Sequence, residues 1–208
     1  MRTRSLFPAL LGLILAASVP LHAAPVNPVG NPGFEDWTKP KPGDAGLPTG
    51  WVAAQSALDP ASPLSGSITK DTTTKHGGTA SARLTNGAGT DITELDQLLP
   101  AEPNTRYTIK LWVKGENIKP GAKNGIGVMA WVNTGPKQGF YPHQTYFNQS
   151  PKIKDGTFDW QPFEFTVETG KEVGQMSLNL QLRVASGKAW LDDVQVTKLG
   201  PVVSVQSF

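Results

Sequence analysis

The residues best equipped for chemistry in this 208-residue sequence are flat rings and planar polar groups rather than nucleophiles. Across residues 106–114, Tyr107, Ile109, Leu111 and Val113 alternate with Thr108, Lys110, Trp112 and Lys114. Across 125–133, Ile126, Val128, Ala130 and Val132 alternate with Met129, Trp131 and Asn133. Across 177–184, Leu178, Leu180, Leu182 and Val184 alternate with Ser177, Asn179, Gln181 and Arg183. In a strand, successive side chains point to opposite faces, so the second set in each run faces away from the core. An indole offers an apolar plate, and amides and guanidinium offer coplanar donors and acceptors. That pairing suits a ring with a C–H face and a belt of hydroxyls, a sugar. The expectation is that Trp112 and Trp131 share one face beside the Asn179, Gln181 and Arg183 row. The alternative for either indole is packing under a loop or against a neighbouring side chain.

A second candidate is the segment 138–149, long and rich in aromatics and amides, with Tyr141 and Tyr146 as ligand contacts. It reads either as a rim over a sheet face or as a hairpin whose Phe140 and Phe147 plug the sandwich. Tyr141, His143 and Tyr146 beside Arg183 could also supply the base of a polysaccharide lyase. No nucleophile elbow is present, and no convincing pair of carboxylates shares an outward row for glycoside hydrolysis. The reading is therefore a binder without catalysis. A lyase or other glycan-active enzyme is the first alternative, and a surface or matrix protein-interaction domain the second. Trp37, Trp51 and Trp160 suit the edge of the core, and Trp190 is left open.

Acids stand inside otherwise apolar motifs at both ends of the chain, Glu35 in Asn31-Pro32-Gly33-Phe34-Glu35 and Asp192/Asp193 in Trp190-Leu191-Asp192-Asp193-Val194. If first and last strands lie side by side, these carboxylates meet and could hold a hard cation. Carbonyls of Gly33 and of the turn at Lys75 to Gly78 would complete the set. The competing reading is that the two aspartates cap a bulge through backbone N–H groups.

The elements that must position these groups are short strands. Turn signals recur at 76–78, 86–87, 102–104, 119–121, 134–136, 154–156 and 186–187, and no window shows a helical apolar period. The fold class expected is all-β, an antiparallel two-sheet sandwich. Residues 1–23 carry Arg2 and Arg4, an apolar stretch, and a small residue at Ala23, the pattern of a cleaved signal peptide. That implies a secreted or periplasmic protein. Residues 24–30 read as a lead-in, 31–200 as one domain, and 201–208 as a flexible tail. The chain has 19 Lys+Arg against 17 Asp+Glu, and residues 1–23 hold two of the arginines and no acid. The remainder is charge-balanced, which argues against nucleic acid or membrane insertion. Without cysteine, no disulfide supports an exported fold.

The motifs taken together resemble a known group. Asn31-Pro32-Gly33-Phe34-Glu35, Gly50-Trp51, the stretch from His76-Gly77-Gly78 to Arg83-Leu84, Tyr107 through Lys114, and Leu191-Asp192-Asp193-Val194 are similar in order and spacing to one family group. It is that of the carbohydrate-binding modules of families 4, 9 and 22, galactose-binding-like jelly rolls. The resemblance covers residues 31–199. It implies a jelly roll, a structural calcium near Glu35 and Asp192 as leading side-chain ligands, and a polysaccharide or glycan in a concave cleft. The segment 134–160 matches nothing in that pattern.

Overall fold

The computed structural model describes residues 26–39, 46–53, 66–122, 125–135, 146–149 and 153–202. The strands are β1 (Ser67–Asp71), β2 (Ser81–Asn86), β3 (Ile92–Pro100), β4 (Thr105–Pro120), β5 (Gly127–Gly135), β6 (Tyr146–Gln149), β7 (Gly156–Glu168), β8 (Gln175–Arg183) and β9 (Ala185–Pro201). They form a five-stranded sheet in the order β1-β2-β9-β4-β7 and a four-stranded sheet in the order β3-β8-β5-β6. Every named pairing is antiparallel. The expected all-β sandwich is what the chain forms.

Alternation does the sorting. Tyr107, Ile109, Leu111 and Val113 of β4 meet Val128, Ala130 and Val132 of β5 and Leu178, Leu180 and Leu182 of β8 in one core. Buried branched and aromatic side chains contribute about 1.5–3 kcal/mol each, which lets a sandwich hold together without disulfides. The alternation breaks at Val184, whose φ of 44° turns the chain out of β8 and into β9. Val184 is therefore absent from the core that its spacing suggested.

The lead-in belongs to the fold. Val29 is buried, and the Asn27 amide donates to the Val194 carbonyl at 2.8 Å while its oxygen accepts from Val196 N at 3.0 Å. These bonds lay the N-terminal segment along β9, with Val194 N donating to Pro32 O at 2.9 Å. Gln97 of β3 ties the same segment across the molecule. It accepts from Gly30 N and donates to the carbonyls of Gly30 and Gly50.

Among the register shifts of the five-stranded sheet, two bear on the candidate groups. Between β4 and β9 the register passes from Lys110↔Gln195 to Trp112↔Asp192, so β9 carries one extra residue there. Asp193 takes a φ of 48° at that point. Between β4 and β7 it passes from Val113↔Gln161 to Gly115↔Phe158. A bulge bends its strand and re-aims side chains, and here it brings functional groups to one edge of a turn.

Candidate functional site

The outer face of the four-stranded sheet carries the polar row. In register, Asp96 of β3 pairs with Asn179 of β8, and Asn179 with Trp131 of β5. One step along, Glu94 pairs with Gln181, and Gln181 with Met129. Asn133 donates to Asn179 Oδ1 at 3.0 Å, and Asn179 passes a bond to Ser177 Oγ at 3.3 Å. The Arg183 guanidinium carbon stands 5.0 Å from the Trp131 ring centroid, a cation–π contact. Trp131 Nε1 is turned to Met129 Sδ at 2.8 Å.

Trp131, Asn179, Gln181 and Arg183 thus stand together, as expected. Trp112 does not join them. It lies on β4 in the other sheet, so the two indoles face opposite sides of the sandwich. Both point outward, and that part of the alternation holds. Which sheet receives each strand is decided by pairing that the local pattern does not encode. Tyr141 and His143 lie outside the described residues, and of Tyr146 only the backbone, paired with Thr134, is described.

The sequence alone shows no convincing carboxylate pair on a shared outward row. The structure corrects this with Glu94 and Asp96, two positions apart on β3. Thr93 and Gln97, polar but inward, disguised the alternation. The signal present in the sequence was two acids flanking the core residue Leu95. Glu94 is 5% exposed and Asp96 0%. Burial pushes the Asp96 carboxyl up to about 9, and the neighbouring Glu94 charge adds to the rise. Glu94 is raised as well, through burial, although contacts with Asp96 and Gln181 and the charge of Arg183 oppose it. Two buried carboxyls this near each other on one strand disfavour double ionisation.

Every buried side-chain polar atom left without a hydrogen-bond partner among the described residues lies on this face. They are both carboxylate oxygens of Asp96, Asn133 Oδ1 and Gln181 Oε1. All are acceptors. Leaving such a group unpaired costs about 1–3 kcal/mol, so the face is short of donors.

Trp112 has a different partner. His76 stacks on it with ring centroids 3.7 Å apart and 14° between planes, and meets Trp160 edge-on at 5.8 Å. The bulge in β7 turns Trp160 out to this cluster rather than to the core edge expected of it. Trp190, undecided from sequence, is buried with its Nε1 donating to Asp71 Oδ2 at 2.9 Å. Trp51 is in the core, tilted against Phe34 at 5.1 Å.

The ends of the chain converge as the motifs implied. Around the Cα of Gly33, a Cβ would stand 3.5 Å from Glu35 Oε1 and 3.7 Å from one oxygen each of Asp192 and Asp193. Phe34 adopts a φ of 54°, rare for a bulky residue and sustained here by complete burial of its ring. Asp192 Oδ2 accepts from His76 N at 2.8 Å and Gly77 N at 3.1 Å, while its Oδ1 accepts from Asp193 N at 2.8 Å. Glu35 accepts from the Thr79 backbone N–H and hydroxyl. Asp193 Oδ2 meets His76 Nδ1 at 2.6 Å. The Lys75 ammonium turns to the Thr72 carbonyl at 3.0 Å.

The bulge-capping role of the aspartates is therefore present in full. Among the described residues no group of three Asp, Glu or His side chains closes into a metal cage. The donor set nevertheless suits calcium, because the carboxylates bring only oxygen and share Gly33 as a common neighbour. Burial raises the Asp192 carboxyl, backbone N–H groups of Gly77 and His76 oppose it, and the Asp193 charge adds to the rise. A cation there would relieve both burdens.

No family model matches the sequence. No curated protein matches it either. Its fold has many solved counterparts. A tandem of two family 22 carbohydrate-binding modules from Paenibacillus barcinonensis Xyn10C superposes with a TM-score of 0.58 over 91% of this chain and 50% of that one, at 14% identity. The fold is that of the carbohydrate-binding-module jelly roll. A family 61 module, TmCBM61, solved with β-1,4-galactotriose, matches 83% of this chain and 99% of its own at a TM-score of 0.50 and 16% identity. The enzymatically active domain of tailspike protein 4 from bacteriophage CBA120 matches 83% of this chain at a TM-score of 0.60 and 13% identity. This chain spans 21% of that tailspike domain and half of the tandem. The carbohydrate-binding-module jelly roll is therefore shared with binding modules and with one part of an enzyme.

Proposed function

We propose that this chain is a secreted, non-catalytic glycan-binding module whose site is the outer face of the four-stranded sheet. Trp131 and Arg183 form its rim, Asn179 and Gln181 its polar row, and Glu94 and Asp96 its floor. The observation that carries this reading is the set of four donor-starved oxygens on Asp96, Asn133 and Gln181. A polyhydroxylated ring brings several O–H donors and an apolar face at once, which matches acceptors beside an indole. A uronate or sulfated sugar would bring further acceptors and negative charge to an acidic floor, so the preferred glycan is neutral. The floor is shielded in the free chain, so hydroxyls reach it only as the face opens, which keeps affinity modest.

The Glu94–Asp96 pair does not favour hydrolysis. Retaining glycosidases hold their carboxyls about 5–5.5 Å apart and inverting ones about 6.5–9.5 Å, to admit a sugar carbon or a water. Both carboxyls are buried, Glu94 at 5% and Asp96 at 0% exposure, so neither is presented to a glycosidic bond in the free chain. The resemblance-based calcium at Glu35 and Asp192 is proposed as structural, tying the N-terminal segment to β9. The test of the glycan reading is an array of neutral polysaccharides probed with wild type and Trp131→Ala. Specific binding lost in the variant supports it. Release of reducing ends or unsaturated products would make the chain an enzyme.

A further inference from the structure

We propose that the oxygens of Glu94, Asp96 and Gln181 form a cation site for a hard divalent ion of the calcium class, separate from the one at Glu35 and Asp192. The donor chemistry is uniform. Two carboxylates and an amide oxygen meet without nitrogen or sulfur ligands, which is the preference of calcium rather than zinc. The atoms are available, since both oxygens of Asp96 and Gln181 Oε1 have no hydrogen-bond partner. They are also nine-tenths or more buried, with Asp96 at 0%, Gln181 at 2% and Glu94 at 5% exposure. Glu94 and Gln181 are register partners across β3 and β8, and Asp96 stands two residues along β3 on the same face.

The scaffold is rigid. Asp96 N donates to Val52 O at 2.8 Å and its carbonyl accepts from Val52 N at 3.0 Å, while its other strand edge pairs with Asn179. A neutral water would supply two donors but no charge. A divalent ion meets both needs of the pair, filling the empty lone pairs and holding two carboxylates together. The charge of Arg183 acts on Glu94, and its guanidinium lies over Trp131. The ion would take lone pairs on Asp96 and Gln181 that the glycan reading assigns to sugar hydroxyls, so the inference concerns the free chain and the two occupants compete.

The test uses terbium(III), which occupies calcium sites and luminesces when excited through a nearby indole. The protein is the mature chain carrying Asp192→Asn, which disables the terminal site. The expected result is one terbium bound per chain and displaced by calcium, with at least a tenfold loss of affinity on adding Asp96→Asn or Glu94→Gln. Calcium should raise the melting temperature of Asp192→Asn and leave Asp192→Asn/Asp96→Asn unmoved. Removing a buried carboxylate leaves less charge to shield, so Asp96→Asn is expected to fold; if it does not, Glu94→Gln decides. Absence of terbium binding by Asp192→Asn, or binding indifferent to both floor substitutions, overturns the proposal and leaves a proton in the pair. Glycan binding measured in chelator separates that failure from failure of the glycan reading.

Discussion

The His76 imidazole lies on the Trp112 indole at 3.7 Å, while its Nδ1 meets Asp193 at 2.6 Å. One side chain thereby joins an outward tryptophan to the cluster of acids at the chain ends. The plate that a sugar would use on Trp112 is already covered. Trp131, on the opposite face, has the Arg183 guanidinium 5.0 Å from its ring centroid, a partner that a ligand can displace or share.

The two tryptophans should separate in experiment. Trp131→Ala is expected to weaken binding of a neutral glycan by tenfold or more, in line with about 1–3 kcal/mol per stacked ring. Trp112→Ala should leave glycan affinity unchanged and lower the melting temperature, by exposing His76 and loosening the 75–79 turn. Isothermal titration with thermal unfolding distinguishes them. A loss of affinity confined to Trp112→Ala would move the site to the five-stranded sheet.

The turn at Gly78 leaves no room for a side chain. Its φ is +52°, and a Cβ would stand 1.8 Å from Glu35 Oε1. Gly78→Ala should therefore displace Glu35 from Thr79 and destabilise the fold by about 1–3 kcal/mol, the range for strained backbone positions. Urea unfolding checks this. Wild-type stability in the variant would show that Glu35 can move at little expense.

In chelator, with no metal at the Glu94–Asp96 pair, stability should fall as the solution becomes alkaline. Asp96 is raised from 3.8 to about 9, so between those values the folded chain holds a proton that the unfolded chain has lost. The unfolding free energy then declines with a slope of about one proton from pH 4 towards pH 9. Asp71 acts in the opposite sense. Burial opposes its ionisation, yet donors from Trp190, Thr74 and Thr73 hold it well below the usual carboxylate range. Its contribution is present above pH 3.8 and lost on acidification. Denaturant titrations across pH should show Asp96→Asn flattening the alkaline slope and Asp71→Asn flattening the acid one. An unchanged alkaline slope in Asp96→Asn would mean the proton is not held there.

Calcium at the chain ends has a direct check. Chelator should lower the melting temperature, since a ligand that binds only the folded state stabilises it with occupancy. Asp192→Asn should remove most of that shift. Elemental analysis free of calcium, with an unmoved melting temperature, would leave the aspartates as caps of the bulge alone.

Much of this molecule was legible along the chain. The two-residue period in 106–114, 125–133 and 177–184 is a local property, because adjacent side chains in an extended backbone must diverge. It named most of the core, Val184 and Ile126 excepted, and the outward direction of Trp112 and Trp131. The meeting of Glu35 with Asp192 and Asp193 was also legible, since paired end motifs imply neighbouring end strands. What alternation lacks is strand order. Trp112 and Trp131 point outward equally well in either sheet, and only the pairing of β4 with β9 and of β5 with β8 set them on opposite faces. The Glu94–Asp96 floor was hidden because Thr93 and Gln97 are polar yet inward, bonded to groups brought from distant segments. Outward direction is settled by the backbone of a single strand, and the composition of a face by long-range hydrogen bonds that no single segment contains.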